Sequence, residues 1–192
     1  VSRGDLPGFV GDAAASIGWV RREIATSGGD PGRFVVAGHS VGAQSAALLA
    51  LDRTYLEKAG VPQGAIAGWV DLAGPYEFDP SRFSNTRPIF ATAYPPVAAR
   101  LISSAHAGAP PTLLIHGEQD CTVSIRYSEE LATRLRDVGN QVRYVPVADI
   151  GHGGLLLGLA EPFQPGSQMV RHITDFVDPL DSRTAPSETS QC

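Results

Sequence analysis

The sequence predicts an α/β protein, a parallel sheet with helices on both faces. Short β-branched runs alternate with longer helical stretches, strand then helix, at the spacing of βαβ units. The runs are almost continuously apolar, as strands covered on both faces are. The residues best suited to chemistry fall just after such runs, where parallel sheets bind their ligands.

Taken in order, residues 1–8 carry Gly4, Pro7 and Gly8 and read as a loop. From Phe9 to Ile24 the positions Phe9, Ala13, Ile17, Val20 and Ile24 form the stripe of an amphipathic helix, stopped by Gly28-Gly29-Asp30-Pro31. Arg33–Ala37 is a first strand, and Ala43–Ala50 is a helix of small, good helix formers. Arg53–Pro62 is a polar connection with a helical segment at Tyr55–Lys58. Ala65–Leu72 is a second buried strand, and Asp71 near its end is read as structural.

Ala73–Pro110 is irregular and proline-rich around one helical run, Val97–Ala107, and is the expected wall of a binding pocket. Thr112–His116 is a third strand and Ser124–Val138 an amphipathic helix closed by Gly139. Gln141–Val147 is a fourth strand, whose late Pro146 suits an edge. A last helix spans about Pro165–Val177. The expected organisation is one domain, residues 1–180, and a polar, disordered tail, residues 181–192.

Composition narrows the classes of function. With 192 residues, 43% hydrophobic and 18% charged, the chain has globular values. A net charge of −5 gives no electrostatic reason to expect nucleic acid or an anionic membrane as partner. No apolar run approaches the ~20 residues that span a bilayer. Cys121 and Cys192 make neither a disulfide framework nor a metal-ligand spacing, and they fix no redox compartment.

The stretch that carries chemistry is Gly38-His39-Ser40-Val41-Gly42. It fits G-x-S-x-G between a strand and a helix, the elbow that lifts a serine hydroxyl out of a tight turn. Gly38 and Gly42 leave room where strand and helix close around Ser40, and the Val41 backbone N–H at the helix start can meet a developing oxyanion. A serine hydroxyl is a weak nucleophile and needs a base, itself oriented by a carboxylate. Asp120, four residues beyond His116 at the end of the third strand, is the preferred acid, ahead of Glu118 and Asp149. His152, between Gly151 and Gly153 in a loop after the last strand, is the preferred base; His39, His106, His116 and His172 read as packing or surface residues.

These stretches, with Phe9–Ala13, Gly29-Asp30-Pro31, Pro111–Asp120 and Gly151-His152-Gly153, resemble the carboxyl-terminal two-thirds of an α/β-hydrolase. The resemblance is to the esterase and lipase branch: hormone-sensitive-lipase-like carboxylesterases, feruloyl-esterase-like hydrolases and kynurenine formamidases. It implies a Ser40–His152–Asp120 triad that cleaves a small carboxylic ester without metal or organic cofactor. Amide, formamide or peptide hydrolysis by the same triad is the alternative, and an inert remnant or interaction protein is the alternative from another class. The family's earlier strands and its His-Gly-Gly oxyanion loop have no counterpart before Ser40, since His152-Gly153-Gly154 lies at the base position. The first strand is then expected to be a bare apolar edge, as in a fragment of a longer product, a chain that pairs that edge with a second copy, or a rearranged half-sheet.

Overall fold

The computed structural model describes residues 6–62, 64–77, 101–160 and 168–182. Among them, four strands form one parallel sheet in the order β1-β2-β3-β4. The strands are β1 (Phe34–His39), β2 (Ile66–Leu72), β3 (Thr112–Gly117) and β4 (Val142–Val147). The helices are α1 (Leu6–Glu23), α2 (Val41–Leu51), α3 (Arg53–Lys58), α4 (Arg126–Asp137), α5 (His152–Leu157) and α6 (Gln168–Ser182). The expected parallel α/β architecture is present. All carboxyl ends point to one rim, with Gly38 level with Asp71, Leu72 with Ile115 and Gly117 with Val147.

Alternation along the strands divides the core into two layers. Trp69 and Leu114 face one way, onto Val10 and Ala14 of α1, the alanine-rich α2, and Leu131 and Leu135 of α4. Val70, Leu72, Leu113 and Ile115 face the other way, onto Leu155 of α5 and Met169, Ile173 and Phe176 of α6. Pro146 sits on an edge strand opposite His116, where its missing N–H costs no ladder bond. β1 is the other edge of the described sheet, and Ala37 on it is exposed.

Several boundaries differ from expectation, each for a local reason. α1 begins at Leu6, because Pro7 and Gly8 fall in a first turn whose N–H groups need no intrahelical acceptor. Its deepest positions are Val10, Ala14 and Gly18, one step round from the expected stripe. Small residues are needed there, since a Cβ on Gly18 would stand 2.6 Å from the Ala59 carbonyl oxygen.

α6 runs on through Pro179 to Ser182, so Asp181 and Ser182 are helical rather than the start of a disordered tail. Leu180 is buried against Gly68, and Arg33 Nη2 donates to its carbonyl, tertiary contacts that hold the last turn beyond the proline. Residues 183–192 lie outside the described residues, as do 78–100 of the expected pocket wall. Of the helical run expected at Val97–Ala107, the described part holds a 3-10 turn, Leu101–Ser104. No helix among the described residues is long and apolar enough to cross a membrane.

Candidate active site

β1 continues through Gly38 and His39 and stops at Ser40, which takes φ 57° and ψ −122° before α2 begins at Val41. A side chain held at positive φ stores backbone strain, and the surroundings must impose it. They do so from both sides of the serine. Ser40 N–H donates to the Leu72 carbonyl at 2.9 Å, and the Ser40 carbonyl accepts from Gln44 N–H at 3.2 Å. A Cβ on Gly38 would lie 2.2 Å from the Gly42 carbonyl oxygen, so only glycine lets strand and helix approach this closely. Gly42 has open space on its Cβ side, and the steric demand assigned to both glycines rests on Gly38 alone.

Beyond β3 and β4 two loops are clasped together. Glu118 N–H donates to the Val147 carbonyl at 2.9 Å, and Gln119 N–H donates to the Ile150 carbonyl at 3.0 Å. A Cβ on Gly117 would stand 2.1 Å from that same Ile150 oxygen. This clasp brings residues 120 and 152 into contact. His152 is the first residue of the short helix α5, with Gly151 as its N-cap, so the expected loop is here a helix start.

His152 Nδ1 lies 2.7 Å from Asp120 Oδ2, with the Asp120 side chain fully buried and His152 at 18% exposure. Asp120 Oδ1 accepts from the N–H groups of Thr122 and Val123, each at 2.8 Å. Burial pushes the Asp120 carboxyl up, but the Val123 N–H, His152 and the Thr122 N–H outweigh it and leave the group below its ordinary value. It is therefore an anion at neutral pH. Bonded to a carboxylate through Nδ1, His152 has Nδ1 as its donor and keeps Nε2 to accept a proton.

The rivals for the acid are placed elsewhere. Glu118 is exposed, and Asp149 takes φ 59° and accepts from Gln119 Nε2 at 3.1 Å, a second tie between the two loops. Asp71 is buried with its Oδ2 accepting from the Tyr76 hydroxyl at 3.0 Å. Burial, opposed by Trp69 and Tyr76, raises its carboxyl well above the ordinary value, so it is held neutral inside the core.

Two histidines read as packing lie at this site. His39 Nε2 donates to the His152 carbonyl at 3.0 Å, with ring centroids 4.6 Å apart. His116 Nε2 lies 3.3 Å from Asp120 Oδ2. The sequence signal for each is position: His39 lies inside the G-x-S-x-G stretch and His116 is the next-to-last residue of β3, both at the reactive rim. Exposed apolar residues flank the site, with Val41 next to Ser40 and Leu156 and Leu157 one turn beyond His152.

This parallel sheet, with a strained serine at a strand-to-helix turn, has an α/β-hydrolase fold. Esterase 2 of Thermogutta terrifontis, solved phosphorylated by paraoxon, superposes with a TM-score of 0.74 at 21% identity, over 93% of this chain and 66% of that one. A truncated carbohydrate esterase from gut microbiota superposes with a TM-score of 0.72 at 20% identity, over 93% and 70%. The prolyl oligopeptidase family model matches residues 14–179, and the chain belongs to that family. Among curated proteins it is similar to esterase LipQ of Mycobacterium tuberculosis, 32% identical over 69% of this chain and 35% of that protein. Esterase LipC of the same organism is 29% identical over 79% of this chain and 42% of its own length. The resemblance to the esterase branch holds in these relatives, although the chain spans about two-fifths of LipC.

Proposed function

We propose that this chain carries the reactive centre of a serine hydrolase that cleaves small carboxylic esters. Ser40 Oγ attacks the acyl carbon while His152 Nε2 takes its proton and returns it to the leaving alcohol. Asp120 holds the imidazole in the Nδ1–H tautomer and stabilises the imidazolium that forms. The Val41 N–H at the start of α2 faces the oxyanion, and water then releases the acid from the acyl-enzyme. The observation that carries this reading is the Asp120–His152 pair at 2.7 Å, its carboxylate buried, on the same rim of the sheet as the strained Ser40. The names of the curated relatives favour an ester, and the exposed Val41, Leu156 and Leu157 favour an apolar acyl group.

The same triad cleaves amides, and membership of the prolyl oligopeptidase family keeps a peptide or formamide substrate as the second reading. A serine-directed phosphonate tests the first step: mass spectrometry should find one adduct at Ser40, absent in Ser40→Ala. An unlabelled wild type would overturn the reading in favour of an inert remnant. Rates on p-nitrophenyl acyl esters, a formanilide and a prolyl anilide then choose between ester and amide.

A further inference from the structure

His116 sits at the end of β3 with its side chain fully buried, and its hydrogen bonds define its tautomer. Nε2 is 3.0 Å from the Val123 carbonyl, which can only accept, so Nε2 carries the hydrogen. Nδ1 is then the acceptor, and it takes the Ser128 hydroxyl hydrogen at 2.7 Å. Ser128 is itself buried, as are Tyr76 and Asp71, whose side chains hydrogen-bond to each other. The same His116 Nε2 that donates to the Val123 carbonyl also lies 3.3 Å from Asp120 Oδ2. Val123 in turn donates its own N–H to Asp120 Oδ1 at 2.8 Å. One imidazole thus closes the turn 120–123 on itself and touches the same oxygen that meets His152.

We propose that His116 is a positioning residue for the Asp120 carboxylate, its Nε2–H setting the direction in which Oδ2 faces His152. This rests on reading Asp120 and His152 as acid and base. The titratable groups acting on His116 are Asp120 and His152. Burial is the largest influence and lowers its pKa, so it meets Asp120 as a neutral donor at neutral pH. A neutral donor can share Oδ2 without competing for the negative charge that the imidazolium of His152 needs.

The test is His116→Phe, which keeps a ring and removes the donor, beside His116→Gln, which returns an N–H near the Nε2 position. In His116→Phe, kcat on a p-nitrophenyl ester falls about tenfold with KM unchanged, the cost of one hydrogen bond to a charged group. The acid limb of its kcat/KM profile moves to higher pH, because Oδ2 now serves His152 alone. The low-field proton resonance of the His152 Nδ1–H moves further downfield, and His116→Gln recovers part of each change. Ser128→Ala, a smaller perturbation, shifts the same readouts in the same direction should His116→Phe fail to fold. If kcat, pH limb and low-field resonance all stay at wild-type values in folded variants, the assignment is wrong. The resonance does not depend on turnover: an unreactive wild type whose resonance still moves would overturn the hydrolase reading and leave the positioning intact.

Discussion

Replacing Gly38 by alanine tests the packing on which the strained serine depends. The added Cβ would stand 2.2 Å from the Gly42 carbonyl oxygen, 2.3 Å from its carbon and 2.5 Å from the Ala43 nitrogen. All three are backbone atoms, so no side chain can rotate out of the way. Real Cβ contacts essentially never fall below 3.0 Å, so β1 and α2 must part by close to an ångström. Overpacking of this kind costs about 1–3 kcal/mol, and an obstruction made wholly of backbone belongs at about 3 kcal/mol. For a domain of this size that lowers Tm by roughly 6–12 °C. Shifting the serine by a similar distance costs about 10²-fold in kcat if Ser40 is the nucleophile. Urea unfolding followed by fluorescence and circular dichroism, with p-nitrophenyl acetate turnover on the folded variant, measures both. An unfolding free energy within about 0.5 kcal/mol of wild type would refute the close approach of β1 and α2.

Asp120→Asn should keep the Thr122 and Val123 N–H bonds through its remaining oxygen while presenting an amide to His152, costing about 10⁴-fold in kcat; activity within tenfold of wild type would exclude Asp120 as the acid. Wild-type stability measured against His116→Phe should fall as pH drops below about 6.5, because unfolded His116 takes up a proton that the buried ring resists. It should fall again at lower pH, through the depressed pKa of Asp120, and Asp120→Asn should abolish this second loss. Asp71 gives the opposite sign: the unfolded carboxyl ionises at its ordinary value while the folded one stays protonated. Asp71→Asn should therefore gain stability relative to wild type as pH rises above about 4, and a constant difference in paired urea melts would contradict the neutral Asp71. Gly18→Ala should lower stability by about 1–2 kcal/mol through the Ala59 carbonyl with kcat unchanged, measured by the same melts.

The strand and helix alternation and the elbow were legible in the sequence because they rest on local chemistry, and Asp120 and His152 were singled out by their places after strands. Apolar runs and small-residue helices dictate the α/β layers, and G-x-S-x-G after a strand dictates a turn that only glycine can close. Even the edge position of β4 could be read, from a proline that forgoes its N–H. Three features needed the folded chain. The buried stripe of α1 moved to Val10, Ala14 and Gly18 because Ala59 approaches from a different helix. α6 passed through Pro179 because Leu180 and Arg33 anchor its last turn from outside the helix. The contacts of His39 with His152 and of His116 with Asp120 join residues from separate strands and loops. Periodicity records which face of an element is apolar, whereas a hydrogen bond between two loops depends on where the parallel sheet brings their ends, and that is decided by register and packing rather than by either loop's own residues.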